Sequence, residues 1–179
     1  TFASGSGATL TDVDGHIYLD FLGDYTAGLL GHSERRVLDH VAEVLTHNAS
    51  VGGIHPAEAT LARLMCERFG LDRVRFTNSG TEANLLAMTT AVLATGRKKI
   101  LVFSGGYHGS VFYFASGNAP WNAPFDFVIT PFNDEAAALE AITTHATTLA
   151  AVVVEPMLGS GGCIPASPQF LSAVFQAAR

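Results

Sequence analysis

Cysteine is scarce in this 179-residue sequence: Cys66 and Cys163 stand far apart and form no CxxC pair. A disulfide scaffold or a cysteine-based zinc site is therefore not expected, and a reducing, cytoplasmic setting is. Basic residues are few as well, 10 against 16 acidic ones for a formal charge of −6. Beyond Arg35-Arg36 and Arg97-Lys98-Lys99 there is no basic run, which argues against nucleic acid as a partner. No apolar stretch approaches the roughly 20 residues of a membrane span, so no membrane association is expected. HExxH is missing, the seven histidines show no ligand spacing, and no metal site is expected. Gly-Lys-Ser/Thr and G-x-S-x-G are also missing, which removes the P-loop and the α/β-hydrolase elbow. Charged residues make up only 15% against 48% hydrophobic ones, the opposite of a disordered composition. There is no signal-peptide pattern at the start, which is Thr1, and the last residues read as helix. A piece of a longer protein is the expectation.

What is present has α/β grammar. Val13-Asp14-Gly15 between Thr9–Asp12 and His16–Phe21 signals a hairpin. Apolar residues at helical spacing follow in Val37, Leu38, Val41 and Leu45, and again after Pro56 in Leu61, Leu64, Met65 and Phe69. Val74–Thr77 then predicts a strand and Thr81–Thr95 a helix. Strands are predicted at Lys99–Phe103, Phe127–Ile129 and Leu149–Val154, with helices at Asp134–His145 and from Pro168 onward. Such alternation implies a largely parallel, layered sheet, with ligands beyond the carboxyl ends of its strands.

Three features sit at those ends. Ser79 with Glu82 is a capping-box pattern, and Gly80 and Thr81 open a helix whose free N–H groups and dipole suit an anion. The plain alternative is a helix cap without a ligand. Gly105-Gly106-Tyr107-His108-Gly109 lets the backbone turn sharply and present Tyr107 as a flat face, or is merely a flexible turn. Glu155 closes the apolar run Val152–Val154, where a carboxylate needs solvent or a hydrogen-bonding partner. Together they offer an anion cradle, an aromatic plate and a carboxylate on one sheet edge, which suits a flat, phosphorylated heteroaromatic group.

Phe76–Asn84, Gly105–Gly109 and Val154-Glu155-Pro156 resemble, in order and spacing, the class III aminotransferases of pyridoxal phosphate (PLP) fold type I. The branch is that of glutamate-1-semialdehyde aminomutase and the β-amino acid (β-phenylalanine) aminotransferases. Asp14-Gly15-His16, Gly28–His32 and Pro124–Phe127 extend the likeness over essentially the whole chain. The resemblance implies an α/β fold, the aspartate aminotransferase-like large domain, with a mostly parallel sheet in a three-layer αβα sandwich, incomplete on its C-terminal side. Residues 1–50 would be an N-terminal segment and 51–179 the first part of that domain. It implies pyridoxal 5'-phosphate as cofactor, with Ser79, Gly80 and Thr81 on its phosphate, Tyr107 stacked on its ring and His108 beside it. Glu155 would lie near the ring in a supporting catalytic role, positioning the Asp that pairs with the ring nitrogen.

That Asp and the Schiff-base Lys are expected beyond Arg179. Lys98 and Lys99 precede a strand at the wrong place and read as solvated, so this segment alone is expected to be inactive. Ser160 stands where ornithine- and GABA-type relatives carry a Glu, so their Glu–Arg switch is absent. The leading expectation is an aminotransferase moving an amino group from an amino acid, here a β-amino acid, to a keto acid, as a homodimer. The alternatives are a glutamate-1-semialdehyde aminomutase and a non-catalytic phosphate-ligand binding or assembly module. His32 and His55 read as hydrogen-bonded structural groups, His55 alternatively as part of the substrate mouth or dimer seam. Cys66 reads as core.

Overall fold

A computed structural model describes residues 1–47 and 52–179. The chain divides into two compact units, Thr1–Val74 and Arg75–Arg179. The boundary expected between residues 50 and 51 lies outside the described residues.

The first unit opens with an antiparallel meander of β1 (Phe2–Ser6), β2 (Thr9–Asp12) and β3 (Ile17–Leu19). The hairpin between β2 and β3 pairs Thr11 with Ile17 and is wider than a two-residue turn. Asp12 organises it, accepting from the Asp14 and His16 N–H groups at 3.0 and 2.9 Å and from the Tyr18 hydroxyl at 2.9 Å. Burial pushes the Asp12 carboxyl up, but these bonds outweigh it and hold it below the ordinary aspartate range. A loop follows in which Asp20 accepts from the Leu22 and Gly23 N–H groups and lies 2.7 Å from His32 Nε2. Four successive residues in it are left-handed, Gly23, Asp24, Tyr25 and Thr26, with φ of 57°, 54°, 53° and 75°. Two amphipathic helices complete the unit, α1 (Arg35–His47) and α2 (Pro56–Phe69), and neither buries a residue. Pro56 opens α2 as its spacing predicts. His55 is its N-cap, with Nδ1 accepting from the Ala57 N–H, so both His32 and His55 are hydrogen-bonded groups. Cys66 is only half-buried, since α2 has no buried face.

The second unit is layered. A parallel sheet of order β5-β4-β6 is built from β4 (Lys99–Phe103), β5 (Asp126–Thr130) and β6 (Leu149–Val152). Side chains of a strand alternate between faces. Accordingly Leu101 and Phe103 pack with Ala138, Ile142, Phe170 and Val174 of α4 (Glu135–His145) and α5 (Pro168–Ala177). Ile100 and Val102 face the other way, onto Met88 of α3 (Gly80–Thr95) and onto Phe112 and Phe114. That gives the expected three layers, with β4 central and buried on both faces, hence its unbroken apolar run. No helix joins β4 to β5. The connection fills its layer with aromatic rings instead, Phe114 and Phe127 meeting edge to face at 4.9 Å. A short hairpin of β7 (Met157–Leu158) and β8 (Ile164–Pro165) follows β6.

Val74–Thr77 is a correction. It forms no strand, because among the described residues no neighbouring strand offers it a ladder. Lys99 corrects the expectation of a solvated pair: it is partly buried, with Nζ 3.3 Å from His145 Nδ1, while Lys98 is exposed. Among the described residues no helix is long and apolar enough to cross a membrane.

Candidate functional site

The site is built at the start of α3 and at the carboxyl ends of β4 and β6. Ser79 caps α3 in an extended conformation, its hydroxyl accepting from the Glu82 N–H at 3.2 Å. Glu82 reaches back one residue further than a capping box requires, accepting from the Asn78 N–H at 2.9 Å. Among the described residues the N–H groups of Gly80 and Thr81 have no partner. Space is open there, since a Cβ on Gly80 would meet nothing within 4 Å. Two free donors at the positive end of a helix dipole fit one face of a phosphate group.

Beyond Phe103 the chain turns back on itself. The Gly105 N–H donates to Phe114 and the Phe114 N–H to Gly106, while the His108 N–H donates to Phe112 at 2.8 Å. The Tyr107 side chain is thereby left 45% exposed, its ring edge-to-face with Tyr113 at 5.7 Å, and one face is available for a flat ligand. Two contacts clasp this turn to the first turns of α3. Asn84 Nδ2 donates to the His108 carbonyl at 2.8 Å, and the Ser110 N–H donates to Thr81 Oγ1 at 3.1 Å. Gly109 makes the approach possible. Its φ is +131°, and a Cβ there would lie 2.5 Å from Thr81 Oγ1 and 2.7 Å from Thr81 Cα. Because Thr81 Oγ1 accepts from Ser110, its own proton remains available to a ligand oxygen.

Glu155 braces the turn from the β6 side. Oε1 accepts from the Tyr107 N–H at 2.8 Å and Oε2 from the Gly159 N–H at 3.1 Å, which satisfies the carboxylate that the sequence leaves in need of a partner. His108 differs from its neighbour: its side chain turns inward, 6% exposed, tilted against Phe114. Burial pushes the imidazole pKa down, and the charge of Glu155 opposes that only in part. Its Nε2 is a buried polar atom without a partner among the described residues.

The structure thus brings Ser79, Gly80, Thr81, Tyr107, His108 and Glu155 to one edge of one sheet, through the hydrogen bonds just described. A donor pair, an exposed phenol ring and a braced carboxylate fit a flat phosphorylated group. Lys98 and Lys99 lie at the opposite, amino end of β4. Sequence reasoning missed the roles of Asn84, Gly109 and Ser110. For Asn84 a signal existed, since it lies three residues after Thr81 and hence on the same helix face. Asp12, Asp14 and His16 lie close enough together to resemble a cation site, but Asp12 is already engaged by neighbouring N–H and hydroxyl groups.

The class-III aminotransferase family model matches residues 1–179. The β-phenylalanine transaminase of Variovorax paradoxus is 50% identical over 99% of this chain and 41% of its own length. A crystal structure of a β-phenylalanine aminotransferase from that organism superposes with a TM-score of 0.96, covering 99% of this chain and 42% of the other. A glutamate-1-semialdehyde 2,1-aminomutase from Thermomicrobium roseum is 35% identical over 98% of this chain and 44% of its own. A solved transaminase with PLP bound is 32% identical with a TM-score of 0.88, over 98% of this chain and 45% of that one. The chain therefore spans about two fifths of the length of the relatives it matches. Matched to the family model from its first residue to its last and folded as these relatives are, it belongs to the class-III aminotransferases.

Proposed function

We propose that the protein containing this chain is a PLP-dependent aminotransferase that moves an amino group from a β-amino acid to a keto acid. The observation that carries the reading is the clasp of Thr81 and Asn84 onto the Tyr107 turn, which sets an anion-binding helix start beside an aromatic plate. The 50% identity to a β-phenylalanine transaminase supports the choice of donor. Bound at this edge, the cofactor's pyridine ring supplies an electron sink for the bond broken at the amino-bearing carbon. The chain's own residues bind and orient. Gly80 and Thr81 donate N–H groups to the phosphate, with the Ser79 and Thr81 hydroxyls alongside. Tyr107 would cover one face of the bound ring and keep water from it. Glu155 supports the site by fixing the backbone of Tyr107. A homodimer in the cytoplasm belongs to the same reading.

The 35% identity to an aminomutase favours a second reading, an internal transfer that needs no acceptor. Incubating the full-length protein with PLP and either β-phenylalanine or glutamate-1-semialdehyde, each with and without 2-oxoglutarate, separates the two. Product that depends on the keto acid supports the transaminase. If glutamate-1-semialdehyde is rearranged without acceptor and β-phenylalanine is left untouched, the aminomutase replaces it. Size-exclusion chromatography with light scattering of the same sample tests the dimer.

A further inference from the structure

Past β4 the chain doubles back, and the hydrogen bonds of that turn decide which residues face each other. The His108 N–H donates to the Phe112 carbonyl and the Phe114 N–H to the Gly106 carbonyl. Tyr107 and Tyr113, enclosed by these bonds, form an antiparallel pair that shares none of its own. In such a pair the side chains stand closest and both N–H groups point away from the partner. Each finds a brace on its own side. The Tyr107 N–H reaches Glu155 Oε1 at 2.8 Å, and the Tyr113 N–H reaches Asn122 Oδ1 at 2.9 Å. Asn122 Nδ2 donates back to the Tyr113 carbonyl at 3.0 Å and also to Asn118 Oδ1 at 2.9 Å. The carboxamide thus does for Tyr113 what a neighbouring strand would do, and both of its hydrogens are used. The rings follow from the backbone. Phe112 and Phe114 are fully buried, so Tyr113 between them faces the opposite side, that of Tyr107. The two phenol rings meet there at 5.7 Å with their planes 71° apart.

We propose that Tyr113, braced by Asn122, is a positioning residue: its ring, set steeply against that of Tyr107, holds the Tyr107 ring in the stance that covers the cofactor. The inference rests on the reading of Tyr107 as that cover. Glu155 fixes only the Tyr107 backbone, and the ring can still turn about its own side-chain bonds. With the residue 45% exposed, solvent does nothing to hold it. A steeply inclined ring does, because an edge-to-face pair is attractive and occupies the space through which Tyr107 would swing. Asn122 acts one step further back. Without its carboxamide the Tyr113 N–H and carbonyl lose these partners, and the Tyr113 ring loses its fixed origin. The segment that carries Asn122 is itself tied down, by the Asn122 N–H on the Ala119 carbonyl and the Ala123 N–H on that of Val111.

The test uses the full-length apoprotein labelled with 3-fluorotyrosine, in which Tyr107→Phe identifies the Tyr107 fluorine signal. Tyr113→Leu removes the aromatic ring and is expected to move that signal. Tyr113→Phe keeps the ring contact and is expected to leave the signal in place. Asn122→Ala frees the Tyr113 backbone and is expected to move the signal in the direction of Tyr113→Leu, and it serves if Tyr113→Leu does not fold. PLP affinity, titrated by absorbance, is expected to weaken about two- to tenfold in Tyr113→Leu and Asn122→Ala and to be unchanged in Tyr113→Phe. An unmoved Tyr107 signal in folded Tyr113→Leu, or a moved one with PLP affinity retained, overturns the proposal. So does a Tyr113→Phe protein that behaves as Tyr113→Leu does. If PLP does not bind the unmodified protein, the cofactor reading fails, while the Tyr107 signal alone decides whether Tyr113 holds that ring.

Discussion

The two units of this chain are held together by different means. In Arg75–Arg179 every residue of β4 from Ile100 to Phe103 is at most 1% exposed, and apolar clusters fill both sides of the sheet. In Thr1–Val74 neither helix buries a residue, and Phe21 and Leu29 stand 94% and 90% exposed. There the order is polar: Asp12 and Asp20 each gather several donors and pin loops that have no apolar centre. Burying a large side chain stabilises by about 1.5–3 kcal/mol, whereas an intramolecular hydrogen bond adds about 0.5–1.5 kcal/mol net. The unit that carries the candidate site is thus the one with the rigid apolar frame, as a site that must hold donors and a ring in register requires.

Truncation should expose that contrast most strongly. Phe103→Ala removes a ring packed against Phe132 and Phe170 and is expected to cost about 3–5 kcal/mol in urea unfolding. Leu29→Ala is expected to stay within about 0.5 kcal/mol. Equal effects would erase the distinction between the units. Gly109→Ala comes next. Its methyl collides with Thr81 backbone and side chain at a positive φ, and a loss of about 2–3 kcal/mol is expected. PLP affinity of the full-length protein should fall at least about tenfold with it, since the clasp on α3 opens. Retained affinity in a folded Gly109→Ala variant would show that the clasp is dispensable.

The smallest effect is expected at Asp20, and it depends on pH. The His32 bond chiefly, then the Gly23 and Leu22 N–H groups, hold this carboxyl below the ordinary aspartate range. A lowered pKa means that the native state favours the charged form. The stability it contributes is complete above the ordinary aspartate range and is lost as pH falls through the lowered value. Exchange at the Leu22 and Gly23 amides should therefore show an acid step in the unmodified protein. Asp20→Asn should show no such step and weaker protection at neutral pH.

Much of the second unit was legible because burial leaves a plain mark on sequence. Lys99–Phe103 reads as a strand since both faces are covered, and Ser79 caps its helix as its pattern predicts. Val74–Thr77 carries the same strand-like composition and still forms none, because a strand needs a neighbour that composition does not name. β1 escaped notice since after Phe2 it holds only Ala, Ser and Gly and shows no apolar alternation, and its order comes from pairing with β2. At the site, residue types were readable but directions were not. Tyr107 and His108 are adjacent, yet one faces outward and the other into the core, as the turn around Gly105 and Gly109 dictates. The Asn84 and Thr81 contacts join residues 24 and 29 positions apart, a distance over which local pattern carries no information.

The left-handed turn from Gly23 to Thr26 has a consequence for chemistry at the bench. Its φ angles at Asp24, Tyr25 and Thr26 are positive, a range that L-residues seldom adopt and D-residues favour. A semisynthetic protein with D-amino acids at positions 24 to 26 would therefore sit more comfortably in this loop than the natural one. It would also resist endopeptidases there, because those enzymes require an extended L-backbone in their clefts.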